Sequence, residues 1–221
     1  LPPGGTMELK FEVTRAERGF TNTGMAPSGG GGDVPSRLNY NGTFFNSSDM
    51  FPHLGYNQSG QILDRNERRK RGLGDVPRAA KLEDQAARNS MGFPDADWIN
   101  FETVVSTSAD QIALAPGYLQ REWTQGERHY YHYKMDRPML PFFCYLSAHY
   151  QVKRGDWQGL PIEVYSDAKH PYNVDRMIEA TRKSLDYFTA NFSPYQHRQV
   201  RILEFPRYAR FAQSFANTIP F

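Results

Sequence analysis

The 221-residue chain holds a single cysteine, Cys144. A disulfide framework and a thiolate metal cluster within the chain are both excluded. No apolar run approaches the roughly 20 residues that a helical membrane span needs. The formal charge is only +2, so composition gives no push toward nucleic acid or an anionic membrane. Two catalytic signatures are also missing: H-E-x-x-H for zinc and the G-x-S-x-G elbow for a nucleophilic serine.

What the chain does have is aromatic side chains. Fifteen Phe, thirteen Tyr and three Trp make 14% of the residues, which favours β-structure over a helical bundle. A hydrophobic content of 39% and a mean hydropathy of −0.68 describe a chain soluble by composition. Its length allows one large or two small domains with a substantial core.

Strict alternation of Met7, Leu9, Phe11 and Val13 in "MELKFEV" predicts a half-buried strand. "APSGGGGDVPS", residues 26–36, reads as a flexible connector, because its glycines lack the spacing and following helix of a phosphate cradle. "DRNERRKRGLGDVPR", 64–78, predicts a short exposed helix and then loop. Arg68, Arg69, Lys70 and Arg71 read as a solvated face, since Asp64, Glu67 and Asp75 lie among them and no aromatic interleaves. Residues 75–97 stay polar and weakly periodic.

The second half is more regular. "WINFETVVST", "QIALAPGYLQREW" (turning at Pro116-Gly117), "ERHYYHYKMDRPM", "FFCYLSAHYQVKR" and "LPIEVYS" read as successive strands separated by turn signals. Their close spacing suggests an antiparallel sandwich. The period then changes. Val174, Met177, Ile178, Leu185 and Phe188 form one helical stripe over 173–192, with Asn173 as candidate N-cap and Asp175 in the first turn. "QVRILEF" resumes alternation.

Six histidines invite a metal reading, but their spacing argues against one. His129 and His132 are three apart in a predicted strand and so point to opposite faces. His149 lies among aromatics, while His53, His170 and His197 adjoin turns or loops. Cys144 alternates with apolar neighbours and reads as a buried small side chain. Asp95 and Asp97 are a possible acid/base pair, although their place in a loop before a strand also suits solvated turn-formers. Sequons occur at Asn41, Asn46, Asn57 and Asn191.

Several segments, in order, resemble one known family. "LPPGGTMELKFEV", "NGTFFNSSDMFPHLGY" (41–56), "VVSTSADQIALAPGYLQREW", "MDRPMLPFFCYLSAHYQV" and the helix with "NFSPYQHRQVRILEFPRY" are similar to the N-terminal region of the aminopeptidase N family of gluzincin zinc peptidases. The bacterial subgroup whose peptidase region is fused to an ABC-type permease looks nearest. The resemblance implies a mainly β fold: an antiparallel β-sandwich, the saddle-like N-terminal domain, then one long helix and the first strands of a thermolysin-like α/β catalytic domain. It implies a sandwich over 1–165 with a polar insertion at about 57–97. The start of a truncated catalytic domain would follow at 166–221, with a helix at 173–192 and a strand at 199–205.

It also implies that zinc and the catalytic residues belong to a longer parent. No catalytic or metal-binding residue and no cofactor is expected within this chain, and the chain alone is expected to be inactive. The family's G-x-M-E-N motif, whose Glu holds the substrate amine, aligns near Ala212-Gln213-Ser214-Phe215, where that Glu is missing. Gln213 and Ser214 are therefore the candidate substrate-binding residues, contacting a peptide backbone. The partners implied are a peptide substrate, the rest of a catalytic domain and permease segments of a membrane-associated bacterial parent, with no nucleic acid. Self-association through 200–221 is expected from a cut sheet edge. A non-enzymatic β-sandwich binding or scaffold module associated with a membrane transporter is the alternative.

Overall fold

The computed structural model describes residues 4–16, 38, 41–52, 61–75, 81, 83–85, 98–204 and 212–221. The protein is mainly β, with antiparallel sheets and one long helix. The first sheet contains β1 (Thr43–Asn46), β6 (Cys144–Ala148) and β3 (Ile112–Leu114), in the order β1-β6-β3. The second contains β2 (Glu102–Ser108), β5 (Arg128–Lys134) and β4 (Tyr118–Gln125), in the order β2-β5-β4. The third contains β7 (Tyr150–Trp157), β8 (Leu160–Asp167), β9 (Val200–Leu203) and β10 (Ile219–Pro220), in the order β10-β9-β8-β7. Short helices α1 (Ser47–Met50) and α2 (Arg65–Lys70) precede β2, and the long helix α3 (Val174–Asn191) joins β8 to β9.

The third sheet is mixed. β7 and β8 form an antiparallel hairpin, whereas β8, β9 and β10 run parallel. The hairpin turns through Gln158 and Gly159, with φ of 51° and 86°. Positive φ at both central positions is the hand that matches strand twist. Because β8 pairs with β9, the expected domain junction at residue 165 falls inside β8.

Period-two alternation places each face of this sheet. Ile162 and Val164 of β8 and Val200 of β9 pack with Ile178 and Leu185 of α3. Burial of side chains of this size stabilises the fold by about 1.5–3 kcal/mol each. On the opposite face, Tyr165 and Leu203 join Phe44, Leu114, Tyr131, Tyr133, Cys144 and Leu146 from the other two sheets. All three sheets share this core. Cys144 is fully buried there, and burial pushes its thiol well above the usual range.

Five local readings need correction. Met7, Leu9, Phe11 and Val13 are 48–63% exposed, and their segment pairs with no strand among the described residues. Alternation alone supplies no hydrogen-bond partner; Phe11 instead sets its ring edge-on to Phe51. "FFCYLSAHYQVKR" is two strands, because the chain leaves the first sheet after Ala148 and joins the third at Tyr150. Asn173 sits at φ 61° and makes no side-chain capping bond. Phe188 is 55% exposed, and Tyr195 from the following loop packs against the α3 core instead. Arg68 turns inward from its basic run, donating to the carbonyls of Ile62, Gly74 and Asp75. The Gly-rich connector, His53, Asn57, Asp95 and Asp97 lie outside the described residues.

Candidate functional site

Parallel strands end together, and their carboxyl ends are where an open α/β sheet presents polar groups to a ligand. Here β8 ends on Asp167, β9 is followed directly by Glu204, and β10 by Phe221. These three residues line one cavity of about 570 Å³ with Asn41, His149, Tyr150, Ser166, His170, Tyr172, Val174 and Met177. This volume lies in the range of small-molecule sites, roughly 300–1,000 Å³.

The polar groups form a continuous chain of contacts. His149 Nε2 lies 2.7 Å from Asp110 Oδ2, and the His149 backbone N–H donates to Asn41 Oδ1 at 2.9 Å. Asn41 Nδ2 donates to Asp167 Oδ2 at 3.1 Å. The Asp167 N–H donates to Glu204 Oε2 at 2.7 Å, and Glu204 Oε1 meets His170 Nδ1. The Tyr150 hydroxyl donates to the Glu204 carbonyl at 2.8 Å. The Lys169 N–H, accepted by Asp167, holds the Asp167 carboxyl below its ordinary range; desolvation opposes this and Asn41 assists it. Asp110 is likewise held low, mainly by its bond to His149.

Gln213 and Ser214 lie elsewhere, on the segment that leads into the 215–218 turn before β10. The Gln213 N–H donates to the Pro220 carbonyl at 3.2 Å, and Phe215 and Thr218 exchange backbone bonds. Gln213 is half-buried and Ser214 exposed, and neither side chain makes a hydrogen bond among the described residues. The turn is fixed from below by Arg201, which is 2% exposed. Its Nη2 is shared among the carbonyls of Ala115 (2.7 Å) and Gly117 (2.9 Å) and the side-chain oxygens of Asn217 (3.0 Å) and Thr218 (3.1 Å). Phe215 packs on Phe142, with ring centroids 4.5 Å apart.

The histidines are dispersed. His129 stacks on Tyr131 on the inner face of β5, and His132 meets Glu102 on its outer face. His197 is half-buried beside Tyr195, and desolvation lowers its pKa. Among the described residues no three His, Cys, Asp or Glu side chains group closely enough to hold a metal ion. A second cavity, about 490 Å³, lies between β1, β2 and β6 with Phe11 and Val13 at its rim. Its walls are mainly apolar and, among the described residues, carry no acid/base pair. Of the sequons, Asn46 is 5% exposed and closed to modification in the folded state.

The site at the strand ends escapes sequence reasoning. Its one local signal is a carboxylate closing each of two strands that flank a helix, Asp167 and Glu204. Neither a scan against models of known families nor a search of curated proteins returns a match for this chain.

Proposed function

We propose that this chain is a non-catalytic N-terminal portion of a zinc metallopeptidase resembling the aminopeptidase N family, forming one wall of its peptide cleft. The observation supporting this reading is the order of elements in the third sheet. A hairpin, a long helix packed on one face and a parallel strand are followed by the segment carrying Gln213 and Ser214, which lies beside the two-residue edge strand β10. An extended peptide can add to a sheet edge through backbone bonds, with nearby polar side chains orienting it. In this reading Gln213 and Ser214 orient the peptide without the carboxylate that would hold a free amine. Peptide binding here would therefore be indifferent to a free N-terminus.

Zinc belongs to this proposal only through the resemblance. The histidines described here pair with single carboxylates (His132 with Glu102, His149 with Asp110, His170 with Glu204) and do not converge. The described residues do not make a zinc set, and no step of chemistry is assigned to them.

The test is the gene product in its native length. The proposal expects an H-E-x-x-H helix downstream of residue 221 and zinc-dependent hydrolysis of peptides blocked at the N-terminus. It also expects the 221-residue chain to be inactive and free of stoichiometric zinc. A native reading frame without that motif would favour the transporter-associated binding module instead. Tight zinc in the 221-residue chain would overturn the placement of the metal.

A further inference from the structure

The cavity at the carboxyl ends of β8, β9 and β10 has a chemistry of its own, independent of the peptidase reading. Its charged lining is one-signed among the described residues. Asp167 and Glu204 face it, and among the described residues no lysine or arginine lines it and the remaining titratable groups are two histidines and two tyrosines. The N-terminal end of α3, at Asn173 and Val174, contributes only about half a positive charge, and Asp175 in that first turn carries the opposite sign. Two full carboxylates outweigh it.

A second observation points to a ligand. Ser166 lies on the α3 face of β8 among the cavity-lining residues and is 8% exposed. Its hydroxyl has no hydrogen-bond partner among the described residues. The hydroxyl is thus a donor and acceptor offered to whatever enters the cavity. Tyr150 and Tyr172 add aromatic faces of the kind that attract cations. Val174, Met177 and Phe221 supply an apolar side.

We propose that this cavity binds a small organic ammonium, with Asp167 and Glu204 as the counter-charges, Ser166 accepting an ammonium hydrogen, and the apolar side holding the hydrocarbon part. Each carboxylate oxygen already accepts one protein hydrogen bond and has a lone pair to spare. The pair is thus fixed in position before the ligand arrives.

The experiment titrates the 221-residue chain with phenethylammonium chloride and with its neutral isostere 2-phenylethanol, at constant ionic strength, by amide chemical-shift perturbation. The ammonium is expected to bind at least about tenfold more tightly, with shifts at residues 166–174 and 204. Asp167→Asn should weaken the ammonium about tenfold and leave the alcohol unchanged. Ser166→Ala and Tyr172→Leu, which remove no structural hydrogen bond, should each weaken it several-fold and carry the test if Asp167→Asn fails to fold. Equal affinity for the alcohol, shifts confined to other surfaces, folded variants that bind as the parent does, or no binding up to about 10 mM would each overturn the proposal.

Discussion

The guanidinium of Arg201 donates to the side-chain oxygen of Asn217 across 3.0 Å, with each residue 2% exposed. Asn217 returns the link by accepting the Gly117 N–H at 3.1 Å, so β9, the β3–β4 turn and the 215–218 turn share one knot. No carboxylate bonds to this cation among the described residues; carbonyls and the Tyr133 ring surround it. Arg201→Met keeps much of the volume but strands the carbonyl of Ala115 and leaves that of Gly117 only a 3.5 Å bond from Gln199 Nε2. A stranded buried acceptor costs about 1–3 kcal/mol, so a loss on the order of 2 kcal/mol is expected in urea unfolding. A variant as stable as the parent would show that water can replace the guanidinium.

At Gly155 on β7, α3 packs tightly against the sheet. A Cβ there would lie 2.5 Å from Ile178 Cγ2. Gly155→Ala should cost about 1–3 kcal/mol through overpacking. Because the obstacle is a side chain, Ile178→Ala in the same molecule should remove most of that added cost, giving a double mutant more stable than the sum of its parts. Gly117 is the contrasting site. Its φ is 99°, and its Cβ would meet the Lys134 backbone at 2.7 Å. No side-chain change relieves that clash. Strict additivity of Gly155→Ala with Ile178→Ala would count against direct packing.

These contacts mark the limit of what the sequence discloses. The buried Tyr131 and Tyr133 alternate with the less buried Tyr130, His132 and Lys134, so β5 and its inner face can be read directly from period two. The helix is equally plain from Met177, Ile178 and Leu185. Arg201 is not, because in "QVRILEF" it occupies a core-facing position that alternation assigns to an apolar residue. Only partners 16 to 86 residues away satisfy its donors. Asp167 and Glu204 stay hidden for the same reason. Each is an ordinary strand-end carboxylate until parallel pairing of β8 and β9 brings them together. The Met7–Val13 segment fails in the opposite direction. It has the alternation of a strand, but pairing is a property of two segments.

His197 provides a pH signature. Desolvation lowers its folded-state pKa; Asp136 opposes this and Arg137 reinforces it. A depressed histidine is held neutral by the fold, so the unfolded chain takes up the proton first as pH falls. Stability from this group is fully present above the unfolded value, near 6.5. It declines as pH drops toward the lower folded value and is constant below that. His197→Phe should therefore flatten the stability profile just below pH 6.5 relative to the parent. Parallel profiles for the two proteins would assign the acid sensitivity to other groups.

Leu185 and Phe188 lie on the same helix three residues apart, and periodicity places both on the buried stripe. The structure separates them. Leu185 is 7% exposed among Ile162, Val164 and Val200, whereas Phe188 is 55% exposed in an aromatic group with Tyr187 and Phe192. Leu185→Ala removes packed methyl groups and should cost about 2–5 kcal/mol. Phe188→Ser removes surface that water already reaches and should cost no more than about 0.5 kcal/mol, while lowering the exposed apolar area. Thermal melts of the two variants decide the matter. A Phe188→Ser loss as large as that of Leu185→Ala would mean that the aromatic group is covered in solution by something the isolated chain does not show.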